Sequence, residues 1–172
     1  GIQVLPPDVN QSFEAFTAIG EDIRFGLGAI RNVGHNVVEA VVATRKQKDS
    51  FKSFNDFIKK VPQVVCNKKT IDALIKAGAF DSLGNTRRSL SEIHEQAVEA
   101  ETLTKRKEAQ GQMDLFAGMF DEDESLAIAI PDRVEWQKRE KLAYEREMLG
   151  LYVSDHPLAG RETQIARFSE IS

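Results

Sequence analysis

The sequence has few of the residues that mark disulfide-linked, metal-bound or membrane-spanning proteins. Its one cysteine, Cys66, cannot form an internal disulfide and cannot by itself build a metal site. No apolar run approaches about 18 residues, so no membrane-spanning helix is expected. The first ten residues lack the basic start and apolar core of a signal peptide. Together these absences predict a reducing, cytoplasmic location and no membrane partner.

Charge is distributed unevenly along the chain. Residues 1–23 contain four acids and no lysine or arginine, residues 24–88 carry a net charge of +8, and residues 89–172 carry a net charge of -8. The overall net charge of -4 therefore conceals a basic middle segment. Such a segment would attract a polyanion, although a basic surface without a specific partner explains the charge equally well.

Apolar periodicity predicts a mainly α fold with short β elements near the N-terminus. A hairpin is expected around Gly20–Asp22, and the pattern becomes helical from residue 26, with a break at Gly34. Further helices are predicted after the caps Ser53 and Asn67, over residues 86–109 and over residues 133–149. Pro62, Gly78 and Gly150 are expected to end helices.

Residues 110–132 show no sustained period and are predicted to form a solvent-exposed, flexible linker. The acidic run Asp121–Glu124 lies in it without a scaffold of other ligands, so no metal site is expected there. The three histidines are scattered, and His94 is expected on a helix surface. Neither a catalytic group nor a cofactor site is therefore predicted from these residues.

The spacing of apolar residues from Leu27 to Val41 predicts a helix-hairpin-helix motif with its turn at Arg31–Gly34. Unpaired amides at the start of the second helix would bind a phosphate, with the helix dipole behind them. Gly34 would let the anion approach and adopt a backbone conformation closed to other residues, while Val33 anchors the turn. Arg45, Lys46 and Lys48 are expected to add charge nearby. The candidate DNA-binding residues of this turn are Arg31, Asn32, Val33, Gly34 and His35.

Asn32 stands where the motif usually has glycine, and asparagine tolerates the left-handed backbone better than most residues. The alternative for this stretch is an ordinary helix-turn-helix corner that binds no ligand.

A second glycine-containing turn, at Gly78 and Ala79, lies between the next two predicted helices. Two paired hairpins can grip phosphates of both DNA strands without reading the base sequence. Lysines precede this turn and arginines follow it. The further candidate DNA-binding residues are Lys68, Lys69, Gly78, Ala79, Arg87 and Arg88. For Lys68 and Lys69, a solvated helix start is the simpler alternative.

The predicted linker contains a short peptide with the pattern of a docking motif. It consists of Gln112, Met113, Asp114, Leu115 and Phe116. Leu115 and Phe116 would fill an apolar pocket on a partner, and Gln112 would hydrogen-bond at its edge. Alternatively, the Leu-Phe pair folds back onto its own core.

This peptide is similar to the sliding-clamp-binding pentapeptide of bacteria, and the chain as a whole resembles the bacterial DNA polymerase III alpha subunits, the C-family replicative polymerases. The resemblance covers nearly the full chain, in the family's order. Its stretches are VLPPDVNQSF (4–13), IRFGLGAIRNVG (23–34), KKTIDALIKAGAFDSLG (68–84), QMDLF (112–116) and EREMLGLYVSDHPL (145–158).

The resemblance implies an order of parts along the chain. Residues 1–22 would leave the fingers, and residues 23–109 would form a tandem helix-hairpin-helix domain that binds duplex DNA. Residues 110–132 would form a linker that contains the clamp-binding motif, and residues 133–172 would form a helix and the approach to an OB-fold domain. The implied partners are primer-template DNA, the beta sliding clamp and other replicase subunits. Catalytic carboxylates and their Mg²⁺ ions would lie in a palm domain outside this segment, so the segment alone is expected to be inactive.

Two alternatives come from DNA repair. Helix-hairpin-helix glycosylases carry a catalytic aspartate after the hairpin, and Asp49 and Asp56 are in range, but the single cysteine excludes the four-cysteine cluster that some of them hold. A non-catalytic helix-hairpin-helix module of a repair protein is harder to exclude on the hairpins alone. The pentapeptide and the LPPDV and SDHPL stretches argue against it.

Overall fold

The structure is a computed structural model that describes residues 2–109 and 128–154. It is mainly helical with one small sheet, as predicted. The strands are β1 (Val4–Leu5), β2 (Thr17–Ile19) and β3 (Asp22–Arg24), and the α-helices are α1 (His35–Lys48), α2 (Phe54–Lys60), α3 (Lys68–Ala77), α4 (Arg87–Ala109) and α5 (Lys138–Leu149). Short 3-10 helices cover Leu27–Ala29 and Asp81–Leu83.

The sheet is built on the predicted hairpin. β2 and β3 pair antiparallel, with Ala18 opposite Ile23. β1 pairs parallel to β3, with Val4 opposite Ile23, and gives the strand order β1-β3-β2. This parallel partner was not predicted, because a two-residue strand is too short to show a period in the sequence.

The predicted helix caps are confirmed. The Ser53 side chain accepts a hydrogen bond from the Asp56 amide at the start of α2, and the Asn67 side chain accepts one from the Thr70 amide at the start of α3. Gly78 and Gly150 take the left-handed conformation at the C-termini of α3 and α5, with φ of 87° and 78°. These positions require glycine because other residues rarely adopt such a backbone.

The prediction of a helix from residue 26 to the break at Gly34 is wrong. Before α1, this stretch forms one 3-10 turn, Leu27–Ala29. Residues 13–15 pack closely against this turn. A Cβ on Gly26 would lie 2.4 Å from the Glu14 carbonyl oxygen, and the Gly28 amide donates to that oxygen at 3.0 Å. The two glycines therefore serve this close backbone contact and do not extend a helix.

The last helix begins later than predicted, and the segment before it packs more closely against the core than predicted. α5 begins at Lys138, and residues 133–137 are not helical. Ile128 and Ile130, expected in an exposed linker, pack against the core, and the Asn55 side chain donates to the Ile128 carbonyl at 2.9 Å. The remaining linker, the pentapeptide, the acidic run and residues 155–172 lie outside the described residues.

One hydrophobic core joins the helices. Phe57 and Phe80 meet edge to face at 4.9 Å between ring centroids, and Met148 and Leu149 of α5 belong to the same cluster as α1 to α4. The expectation that His94 lies on a helix surface is wrong: it is buried, and its Nδ1 lies 2.7 Å from the Ser91 carbonyl oxygen. In the described residues, no helix is both long and apolar enough to cross a bilayer.

Candidate nucleic-acid interface

The first hairpin unit, defined as residues 27–48, has an exposed turn held by buried anchors. Val33 is buried in the core, as predicted, while Arg31 and Asn32 are exposed. Asn32 has a φ of 70°, so it adopts the left-handed backbone at the position where the motif usually has glycine. The Arg31 amide donates to the Met148 carbonyl at 2.9 Å, which fixes the turn against the end of α5.

The N-terminus of α1 presents backbone donors to solvent. Gly34 is the N-cap residue, and no side chain of the described part caps the helix. The Val38 amide donates to the Gly34 carbonyl at 3.1 Å, whereas the amides of Gly34, His35 and Asn36 have no acceptor within the described residues. All three residues are exposed. Uncapped donors at a helix N-terminus are suited to binding an anion.

Gly34 fulfils only one of its two predicted roles. Its φ is -82°, an ordinary value for any residue, so the expectation of a special backbone conformation is wrong. A Cβ at this position would meet nothing within 4 Å, so the space beside the amide donors is open. Glycine here leaves room for a ligand, and the turn itself does not require it.

The first turn of α3 lies beside this hairpin. The Thr70 hydroxyl donates to the Asn32 carbonyl at 3.4 Å, which brings the start of α3 next to the turn. Lys68 and Lys69 are both exposed there, but Lys68 forms an ion pair with Glu99 of α4. Arg31 and Lys69 are exposed, and neither forms an ion pair with a carboxylate within the described residues.

His35, the first residue of α1, lies between two carboxylates. Its Nδ1 is 2.7 Å from Glu14 Oε1, and its Nε2 is 3.5 Å from Glu39 Oε2. The hydrogen bond to Glu14, and then the charges of Glu14 and Glu39, raise the pKa of His35 above its usual value. When His35 is neutral, both carboxylates remain beside the amide donors uncompensated, which disfavours an anionic ligand.

The basic residues at the end of α1 lie away from this site, contrary to prediction. Arg45 is ten residues after His35, a rise of about 15 Å along the helix. Its guanidinium donates to the Ser12 carbonyl at 2.6 Å and to the Val9 carbonyl at 3.0 Å. Arg45 therefore holds the N-terminal segment, and Lys46 and Lys48 share the far end of the helix.

The second hairpin unit, defined as residues 68–109, has a closed turn. Gly78 and Ala79 are buried, and their amides donate within the turn, to the Ile75 and Leu74 carbonyls at 3.1 and 3.0 Å. The predicted exposure of these donors is therefore wrong. Gly78 takes φ of 87°, and a Cβ on it would lie 2.3 Å from Nη2 of Arg87.

Arg87 is a core residue, which corrects its prediction as a phosphate ligand. Its side chain is 1% exposed and lies 2.8 Å from Asp81 Oδ2 and 2.8 Å from Glu145 Oε2. Burial alone would lower the pKa of Arg87, but the bonds to Asp81 and Glu145 raise it. A guanidinium with both ends paired inside the protein has no donor left in position for DNA.

Glu145 is the buried acid at the centre of this network. It is fully buried on α5 and accepts hydrogen bonds from Arg87, from the Ser154 amide and hydroxyl, and from the Val153 amide. Burial raises its pKa, but those hydrogen bonds outweigh burial and lower it overall. Sequence reasoning missed Glu145, although its position between Leu142 and Met148 on the apolar face of α5 was a signal.

Glu135 is the second acid that sequence reasoning missed. Its carboxylate accepts from the Arg87 amide at 2.9 Å and from the Arg88 amide at 3.1 Å, at the start of α4. Arg88 is exposed, as expected, and its side chain faces Glu92. Glu135 lies in the non-helical stretch before α5, where nothing in the sequence marks a contact to residues nearly 50 positions earlier.

Neither a reactive thiol nor a metal site is found in the part of the chain that the structure describes. Cys66 is buried, its thiol faces the Ile58 carbonyl, and burial raises the pKa of the thiol to about 11. Within residues 2–109 and 128–154, no group of three His, Cys, Asp or Glu side chains is placed to hold a metal ion.

Comparison with known proteins connects this arrangement to one family. The helix-hairpin-helix motif model matches residues 1–90. The chain is 52% identical to DNA polymerase III subunit alpha of Saccharopolyspora erythraea over 99% of its length, and 40% identical to that of Thermus aquaticus over 92%. It spans only 15% and 12% of those two relatives. The chain therefore belongs to the helix-hairpin-helix family and, as its motifs indicated, is similar over nearly all its length to a segment of DNA polymerase III subunit alpha.

Proposed function

We propose that this chain is the part of a replicative DNA polymerase that holds duplex DNA through the first hairpin unit. The observation that carries the proposal is the uncapped N-terminus of α1, with exposed amides at Gly34 and His35 and open space beside them. Family membership and the polymerase relatives support DNA as the anion.

The ligand is the sugar-phosphate backbone, and the bases are not read. Backbone amides and a helix dipole recognise a phosphate without distinguishing sequences. The exposed cations Arg31, on the turn, and Lys69, in the first turn of α3 beside it, would add positive charge to this surface. The interface differs from the paired hairpins expected from sequence, because the start of α3 takes the place of the second turn.

Clamp tethering is the second part of the proposal. The pentapeptide Gln112–Phe116 lies outside the described residues, so its support is its sequence pattern and the similarity to polymerase subunits. A tether of this kind raises the local concentration of the polymerase at its primer, which gives processive synthesis without tight DNA binding. Replacing both Leu115 and Phe116 by alanine should abolish clamp binding and leave DNA affinity unchanged. Equal clamp affinity of this double variant would contradict the tether.

The proposal places the catalytic site of the polymerase in a part of its chain outside this segment. We expect the isolated segment to incorporate no nucleotide in a primer-extension assay containing Mg²⁺. Primer extension that depends on the metal would overturn this part of the proposal.

The DNA part is tested by salt-dependent binding to short duplexes of two unrelated sequences. The wild-type chain should bind both equally, with log K falling linearly with log salt concentration. Replacing both Arg31 and Lys69 by alanine should weaken binding and reduce the magnitude of the slope by about 0.9 for each phosphate that the variant no longer neutralises.

The matched control removes two charges at the exposed C-terminal end of α4, in Arg106→Ala with Lys107→Ala. This control should keep the wild-type slope. If the two double variants behave alike, the assignment of the interface to the first hairpin unit is wrong.

A further inference from the structure

The N-terminus of α4 already holds an anion, and that anion belongs to the protein. Glu135 Oε2 accepts from the Arg87 amide at 2.9 Å, and Glu135 Oε1 accepts from the Arg88 amide at 3.1 Å. Two oxygens on adjacent amides at a helix start reproduce the way such a terminus holds a phosphate.

The stretch around Glu135 is fastened to α4 by further bonds. The Thr86 hydroxyl donates to the Arg133 carbonyl at 2.9 Å, and the Arg133 amide donates to the Ser89 hydroxyl at 2.9 Å. The Arg133 side chain pairs with Glu92 at 2.8 Å. We call residues 133–136 the strap. Its backbone and its carboxylate together satisfy the start of α4.

The equivalent position of the first hairpin unit has no such occupant. No side chain of the described residues caps α1, and the amides at Gly34 and His35 are exposed. The two units therefore differ in the group bound at the helix N-terminus, although each has a helix that follows a glycine-containing turn.

We propose that Glu135 is an intramolecular substitute for a DNA phosphate, and that the strap closes the second hairpin unit to DNA. This inference rests on the proposed function, since it concerns which of two hairpin units can accept a phosphodiester. It gives the C-terminal segment a regulatory role: DNA reaches the amides of α4 only where the Glu135 carboxylate is displaced from them.

The charges around the strap favour an anion once the carboxylate is gone. Arg88 and Arg133 are exposed beside the start of α4, and the acids facing them are Glu92 and Glu135. Glu135→Gln removes one negative charge and replaces one of the two oxygen acceptors by an amide group. A phosphate then competes with a weaker ligand for the same amides.

The test compares Glu135→Gln with Glu147→Gln, which removes an equal charge from an exposed position of α5. We expect Glu135→Gln to bind duplex DNA several-fold more tightly than wild type, with a salt slope steeper by about 0.9. The control should keep the wild-type slope. Equal affinities and slopes for the two variants would overturn the proposal.

Amide resonances of the folded wild-type chain provide a measurement that does not depend on a variant. On titration with inorganic phosphate, the Arg87 and Arg88 amides should not shift in wild type and should shift in Glu135→Gln. Phosphate-dependent shifts of Arg87 and Arg88 in wild type would contradict the closed state, even if the variant fails to fold.

The same titration separates the two proposals. If the Gly34 and His35 amides do not respond to phosphate or to duplex DNA, the proposed function fails. If they respond while Arg87 and Arg88 remain silent in the folded Glu135→Gln variant, only the inference about the strap fails.

Discussion

The two hairpin units are built from similar sequence elements, but their turns differ in what covers them. In the first unit, Gly34 has an ordinary backbone conformation and open space around it. In the second, Gly78 is left-handed, buried and covered by the Arg87 guanidinium. A glycine in a hairpin turn can therefore leave room for a ligand or let the chain pack against itself.

The acids of the C-terminal segment account for the difference. The Glu145 carboxylate pairs with the Arg87 guanidinium, and the Glu135 carboxylate occupies the start of α4. Apart from packing in the shared hydrophobic core, the first unit is joined to α5 in the described residues by a backbone hydrogen bond, from the Arg31 amide to the Met148 carbonyl. Its donors at α1 are left for a partner.

The largest expected effect comes from Arg87→Met. This change leaves the fully buried Glu145 carboxylate without its charged partner, and breaking a buried pair on one side costs about 3–5 kcal/mol. Urea unfolding should show that loss of stability, whereas the exposed Arg88→Met should unfold nearly as wild type does. If Arg87→Met keeps its stability and loses DNA affinity instead, Arg87 is a DNA ligand after all.

Gly78→Ala is expected to have the next largest effect. The left-handed backbone alone costs a non-glycine residue about 1–3 kcal/mol, and the new Cβ would displace Arg87 from 2.3 Å away. Thermal unfolding should occur at a clearly lower temperature than in wild type. An unchanged midpoint would show that the second turn is looser than the structure indicates.

Gly34→Ala should separate binding from stability. Its φ of -82° and the empty space around a Cβ predict a change in unfolding free energy within about 0.5 kcal/mol. The added methyl group lies beside the free amides, so duplex affinity should fall several-fold in the same salt-dependent assay. Unchanged DNA affinity would mean that phosphate does not approach α1 at this residue.

The smallest predicted effect is a pH dependence at the first hairpin unit. Glu14 and Glu39 raise the pKa of His35 in the folded protein above its ordinary value of 6.5. The stability that the protonated His35 gains from these two carboxylates is therefore complete below pH 6.5 and is lost as the pH rises through the pKa of the folded state. Duplex affinity should fall over that range as the two carboxylates lose their counter-charge. His35→Gln should flatten the profile. A profile identical to that of wild type would exclude His35 as its source.

Much of the fold could be predicted from local patterns. The residues that begin and end helices bond to backbone groups within one turn of themselves, so their roles follow from sequence neighbours. They are Ser53, Asn67, Gly78 and Gly150. The long helix α4 begins and ends close to the predicted residues, because its period persists over six turns.

The candidate site was only half predictable, because it depends on contacts between distant residues. Val33, Asn32 and the exposed amides of the first turn follow from the motif. The closure of the second turn depends on Glu135 and Glu145, which lie 48 and 58 positions beyond Arg87. An arginine after a hairpin has the same local pattern whether it faces a phosphate or a buried carboxylate.

Which hairpin unit binds DNA is tested most directly by following the backbone amide resonances of the wild-type chain during titration with a short DNA duplex. We expect the resonances of the Gly34, His35 and Asn36 amides to shift in a saturable way that weakens with added salt, while those of Arg87 and Arg88 stay in place. Shifts at Arg87 and Arg88 with none at Gly34 and His35 would contradict this expectation.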